Sequence, residues 1–100
     1  MLDLPARKGQ TLTLRFAEML HKDGTLYTGN YRGAKCAFRY TAAKDGPVSW
    51  HPAFTFYGFR YVELSGLPEG VKPKPSWITA AVLHSDFTTT GTFHSSHPLL

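Results

Sequence analysis

Two short stretches of this chain alternate apolar and polar side chains with a period of two, and that pattern restricts the fold more than anything else in the sequence. Thr11 to Phe16 reads Thr-Leu-Thr-Leu-Arg-Phe, which places Leu12, Leu14 and Phe16 on one face of a strand. From Ala34 to Thr41 the alternation returns. Ala34, Cys36, Phe38 and Tyr40 share one face, and Lys35, Ala37, Arg39 and Thr41 share the other. A rival reading exists beside the first stretch: Arg15 to Lys22 is rich in helix formers and Gly24 is a possible C′ cap. We read Thr11–Phe16 as strand and leave Ala17–Leu20 open.

Turn signals separate these segments. Lys22-Asp-Gly-Thr25 has the Asp-Gly of a tight hairpin, with Leu26 and Tyr27 a short strand beyond it, and Lys44-Asp-Gly-Pro47 turns the chain again. Residues 1–9, with Pro5, Lys8 and Gly9, read as a lead-in. Ser65 to Gly70 ends a strand, and Lys72-Pro-Lys-Pro75 forms a stiff, extended connector. Trp77 to His84 reads as a last strand with Ile78, Ala80 and Val82 in register. From Ser85 the composition shifts to Thr, Ser, His and Gly, the character of a linker.

Aromatic mass is concentrated between Trp50 and Glu63. Trp50, Phe54, Phe56, Tyr57, Phe59 and Tyr61 all fall there, out of 7 Phe, 5 Tyr and 2 Trp in the chain. Such residues suit a pleated, half-buried surface and bring large apolar area to a core. We expect this segment to supply the central strand pair. Pro52 suggests an edge or strand entry, and Gly58 marks a bulge or tight approach. Beyond it, Arg60, Val62 and Leu64 lie on one face, and Phe59, Tyr61 and Glu63 on the other. Both faces carry large apolar groups, so the pattern leaves open which is inward.

At 100 residues and 42% apolar composition, one domain with one real core is expected. No apolar run approaches the roughly 20 residues of a membrane span, and the first residues lack a signal peptide's apolar centre. The expectation is a soluble chain, with its compartment undecided. A net charge of +4 is scattered without a stripe, which argues against a nucleic-acid partner. Cys36 stands alone, so it forms no internal disulfide and reads as a small buried hydrophobe. The sum is an all-β fold of about five or six short strands, an antiparallel β-sandwich or jelly roll.

The order of motifs is distinctive. Gly9 to Leu20, Asp23 to Thr28, Arg32-Gly-Ala-Lys35 and Phe54 to Glu63 closely resemble the β-sandwich (concanavalin-like) domain of bacterial α-L-rhamnosidases, glycoside hydrolase family 78. Val82 to Asp86, Thr90-Gly-Thr-Phe93 and Pro98 to Leu100 match as well, so the likeness covers nearly the whole chain. It implies a sandwich accessory domain at 1–88 and, at 89–100, the start of a linker toward the catalytic α/α barrel. Two departures stand out. Ala37 and Phe38 occupy positions where the family usually carries a polar pair after Lys35. The family domain also generally begins with another strand bearing an Asp-Phe-Gly-Gln-like motif, so the resemblance implies a sandwich lacking its first strand. An unpaired edge would invite self-association.

Glycoside hydrolysis needs two carboxyl groups flanking the sugar bond, about 6.5–9.5 Å apart for inversion. Glu18 and Glu63 are the candidates, weighed against simple pairing with Arg15, Arg39 or Arg60. The resemblance sides with pairing, because the family's acid and base belong to the barrel. It implies no catalytic residue and no cofactor here, and an inactive chain in isolation. His21, His51, His84, His94 and His97 lack a metal-binding spacing. Sugar contact is the more serious possibility, since aromatic faces stack on sugar rings beside polar groups that orient hydroxyls. Trp50, Tyr57, Trp77 and Tyr31, with Asn30, Arg32 and His51, are the candidates, and rhamnose-containing glycans the expected ligand. Two readings result: a non-catalytic domain supporting a rhamnosidase barrel and its pocket rim, or a stand-alone carbohydrate-binding module.

Overall fold

The computed structural model describes residues 1–99. Among them, seven strands form three antiparallel sheets. Strand β1 (Leu2–Ala6) pairs with β6 (Gly46–Trp50), and β2 (Thr11–Ala17) lies between β5 (Ala37–Thr41) and β7 (Tyr61–Ser65). Strands β3 (Met19–Leu20) and β4 (Leu26–Tyr27) close a small hairpin. Two single turns of 3-10 helix, Gly29–Tyr31 and Pro75–Trp77, complete the regular structure.

The two larger sheets face each other across one core. Leu2, Leu4, Ala6 and Val48 project from the β1–β6 sheet toward Leu12, Leu14 and Phe16 of β2, with Ala42 at the end. Leu12 and Leu2 are 0% and 1% exposed. Phe38, Tyr40, Val62 and Leu64 widen the cluster from the strands flanking β2. The alternation of β2 therefore does what period two requires: its leucines and phenylalanine turn inward while Thr11 and Arg15 face solvent.

The chain changes sheet twice at one corner. Gly9 takes a φ of 83° in the turn from β1 to β2, and Gln10 N–H donates to the Arg7 carbonyl at 2.9 Å. Ala42, leaving β5 for β6, is tied to the same corner: Gly9 N–H donates to its carbonyl at 2.8 Å. Lys8 N–H donates to the Asp45 carboxylate at 2.8 Å. Backbone groups that a sheet-to-sheet crossing would leave unpaired are thus satisfied within the corner itself.

Several expectations are corrected. The supposed lead-in contains β1, a buried core strand whose Leu2, Leu4 and Ala6 alternate inward. Its Pro5 is accommodated opposite Pro47, where neither residue has an N–H to lose. The centre of the main sheet is β2, not the aromatic segment, because among the described residues β2 is the strand with a partner strand on both sides. Within that segment only Trp50 and Tyr61 onward lie in strands; residues 51–60 are irregular. The inward face of β7 is the one bearing Val62 and Leu64. Strand β5 starts at Ala37 rather than Ala34. No helix forms over Arg15–Lys22; the chain there finishes β2 and enters the β3–β4 hairpin, and Gly24 (φ 85°) serves its turn. Asp23 clamps that turn, its carboxylate accepting from Thr25 N–H at 3.0 Å and from the Thr25 hydroxyl at 2.7 Å.

The expected strand over Trp77–His84 is also absent. Ile78 makes one antiparallel bridge to Leu2, and residues 79–99 carry no strand or helix. A radius of gyration of 18.2 Å, against about 13 Å for a compact chain of this length, reflects that uncovered tail.

Candidate functional site

An apolar groove of about 630 Å³ lies beside β1. Its floor is Leu14, Phe16 and Phe38, one wall is the run from Trp50 to Tyr57, and the other is formed by Ile78 to Ala81 with Leu83. The floor exists because the β1–β6 sheet has two strands and covers only part of the three-stranded sheet beneath it.

Aromatic packing holds the first wall. Phe16 lies 5.1 Å, 5.3 Å and 4.9 Å from the rings of Phe38, Tyr57 and Phe59. Tyr57 also stacks obliquely on Phe38 at 4.9 Å, and its hydroxyl donates to the Lys35 carbonyl at 3.1 Å. That bond gives a half-buried phenol its partner and pins the irregular segment to the start of β5. Trp50 is wedged between Phe38, edge-on at 6.1 Å, and Tyr40 at 5.3 Å. Phe54 and Phe56, by contrast, stand in solvent.

Of the sugar-contact candidates, Trp50, His51 and Tyr57 come together as lining of the groove. His51 is exposed, with Nδ1 3.1 Å from the Pro52 carbonyl. Trp77 is half-buried against the core and is not part of the lining. Asn30, Tyr31 and Arg32 sit elsewhere, on the 3-10 turn after β4, where Tyr31 hydroxyl accepts from Glu18 N–H at 3.1 Å. Arg32 closes that turn in the left-handed region at φ 50°. The seven residues do not form one platform. Sequence reading missed the groove's floor and its second wall, although the inward alternation of Leu14, Phe16 and Phe38 was the available signal.

Carboxylates are absent from the groove's lining. Glu63 is paired with Arg15 at 3.0 Å, on the solvent side of β2 and β7. Glu18 is exposed beyond the end of β2. No cluster of three or more His, Cys, Asp or Glu side chains able to hold a metal occurs among the described residues. No helix among them is long and apolar enough to cross a membrane. The arrangement can bury an apolar or aromatic surface, but it lacks the paired acid and base of a glycosidase.

Comparison with known proteins decides what this domain is part of. The family model for the bacterial alpha-L-rhamnosidase concanavalin-like domain matches residues 1–84. This chain belongs to that family. An alpha-L-rhamnosidase of Formosa agariphila is 50% identical over 100 residues, covering 100% of this chain and 11% of that protein. One from Alteromonas sp. is 48% identical over 99% of this chain and 11% of its own length. A third, from Streptomyces avermitilis, is 42% identical over 92% of this chain and 9% of its length. No solved structure matches. The chain therefore spans about a tenth of the relatives it resembles. It is a short domain of the alpha-L-rhamnosidase type, and its antiparallel sheets are those of the concanavalin-like β-sandwich.

Proposed function

We propose that the chain serves as a non-catalytic structural domain of an alpha-L-rhamnosidase, packing against the catalytic barrel and supporting the rim of its pocket. The observation that carries this reading is the combination of a short, whole-chain match to much longer rhamnosidases with a groove free of carboxylates. Exposed aromatic residues in the tail supply the contact: Phe87 and Phe93 are 86% and 77% exposed, one just before and one just after the expected start of the linker at residue 89.

The test is an exchange. Replacing the matching tenth of the Formosa agariphila enzyme with this chain should give a folded enzyme that hydrolyses an aryl α-L-rhamnoside, and Phe87→Ser with Phe93→Ser in that chimera should lower its melting temperature. An unchanged melting temperature would remove the contact role.

A second reading, a carbohydrate-binding module, is favoured by the meeting of Trp50, His51 and Tyr57 in one groove. Titrating L-rhamnose and rhamnosides against Trp fluorescence separates the two: a saturable, site-localised response belongs to a binding module, none to a scaffold.

A further inference from the structure

The face of the β5–β2–β7 sheet turned away from the core carries a chemistry unlike that of the groove. Cross-strand register sets its rows: Arg39, Thr13 and Ser65 stand side by side, Ala37, Arg15 and Glu63 form the next row, and Ala17 and Tyr61 the one beyond. Residues in register share a face, and the inward turn of Leu12, Leu14 and Phe16 puts these on the outer one. The Arg15 guanidinium donates to the Glu63 carboxylate at 3.0 Å, so each fixes the other while both remain largely in water. Among the described residues, no protein group bonds the Thr13 or Ser65 hydroxyl or the Arg39 guanidinium. The Thr11 and Thr41 hydroxyls bond each other at 2.9 Å and so close this run of free groups. At its other end Tyr61 is 36% exposed, and Ala17 opposite is too short to cover its ring. The Arg60 guanidinium carbon, 5.9 Å from the ring centre, steadies the phenol from one side. Tyr61 is not in the core cluster, so core packing does not account for its place.

We propose that this outer face is a saccharide-contact site for a short, neutral oligosaccharide. Tyr61 is the platform on which the C–H face of a sugar ring lies, and the Arg15–Glu63 pair, Thr13, Ser65 and Arg39 orient its hydroxyls. A sugar hydroxyl is donor and acceptor at once, and this face offers both kinds of group within reach of one aromatic ring. Tyr61, Glu63 and Ser65 lie on it along about 13 Å of β7, at roughly 3.3 Å per residue, which is longer than one sugar ring. Other occupants suit it less. A protein interface has an apolar centre, and here the sole large apolar group is Tyr61. Nucleic acid needs a basic stripe, and Glu63 neutralises Arg15 within the row. The site stands apart from both readings above: Leu14, Phe16 and Phe38 in the groove's floor belong to the opposite face of the same sheet. A groove that binds no sugar leaves it untouched, and so does the absence of any contact with the barrel.

The experiment is an NMR titration of the 100-residue chain with methyl α-L-rhamnoside, cellotriose, maltotriose and xylotriose. Each is carried to about 100 mM, where even a millimolar site saturates. At least one should give saturable shifts at the Tyr61 ring and the Arg15 Nε–H, with the Trp50 indole N–H, which reports the groove, unmoved. Tyr61→Leu should weaken that affinity about tenfold, the scale of an aromatic anchor. The methyl signals of Leu12 and Leu14 check that the variant is folded. Should Tyr61→Leu fail that check, Arg39→Gln carries the comparison and should weaken binding in the same direction. No saturable shift at Tyr61 and Arg15 with any of the four sugars overturns the site. So do shifts confined to Trp50, which would place the sugar in the groove, and so does unchanged affinity in the folded variant.

Discussion

Arg15 and Glu63 stand directly opposite each other on β2 and β7, and the guanidinium donates to the carboxylate at 3.0 Å. Both side chains remain largely in water, at 46% and 40% exposure. A cross-strand pair of this kind contributes about 0.2–1 kcal/mol. Glu63→Gln should therefore lower stability by less than about 1 kcal/mol in urea unfolding, with a smaller effect at high salt. Neither the native chain nor the variant should hydrolyse an aryl rhamnoside.

Gly66, which ends β7, lies with φ at 89° against the backbone of Thr11. A Cβ there would overlap the Thr11 carbonyl oxygen, an atom fixed by the sheet. The left-handed backbone and the overlap act together, so Gly66→Ala should cost about 2–5 kcal/mol. Gly9→Ala is the control: its Cβ would meet open space, leaving only the conformational cost.

Phe16 touches three aromatic rings from the floor of the groove. Truncation removes both its buried area and the support under Tyr57. Phe16→Ala should destabilise by about 3–5 kcal/mol and weaken the hold on residues 51–60. Loss of near-ultraviolet circular dichroism from Tyr57 and Trp50 would report it.

Asp23 gives the hairpin a pH dependence. Its carboxyl is held below the ordinary aspartate range, first by the Thr25 backbone N–H and next by the Thr25 hydroxyl. A lowered folded-state value means that the ionised form favours the folded turn. The contribution is fully present above the unfolded value and fades as pH falls through the lowered one, a window below about pH 4. Carboxyl NMR titration should show Asp23 titrating below its ordinary range, and Thr25→Val should move it upward.

How far the fold could be read in advance depended on which strands have one wet face. Strands β2 and β5 do, and their alternation announced them. The short β1 also alternates, yet Pro5 disguised it, since the sequence does not show that Pro47 would stand opposite. The aromatic run had no readable period because its rings serve several jobs: Trp50 and Tyr57 pack into the core's edge while Phe54 and Phe56 do not. Ile78, Ala80 and Val82 alternate as a strand should, but alternation states a preference and a ladder needs a neighbour. The candidate site was half legible for the same reason. Trp50, His51 and Tyr57 are near in sequence and met; Asn30, Tyr31, Arg32 and Trp77 required knowledge of the turns that carry them elsewhere.

The central place of β2 also sets a pace. Its two partners come from later in the chain: Thr11 meets Thr41 across a separation of 30 residues, and Arg15 meets Glu63 across 48. β2 therefore waits for distant segments before it gains either neighbour, and the entropy of closing those loops precedes the reward. Refolding of this small domain belongs to the millisecond-to-second regime of non-local β structure, with Leu12, Leu14 and Phe16 uncovered in the interval. During synthesis, β2 leaves the ribosome well before β7 exists to flank it, and that delay is the period in which its apolar face is most open to unintended pairing.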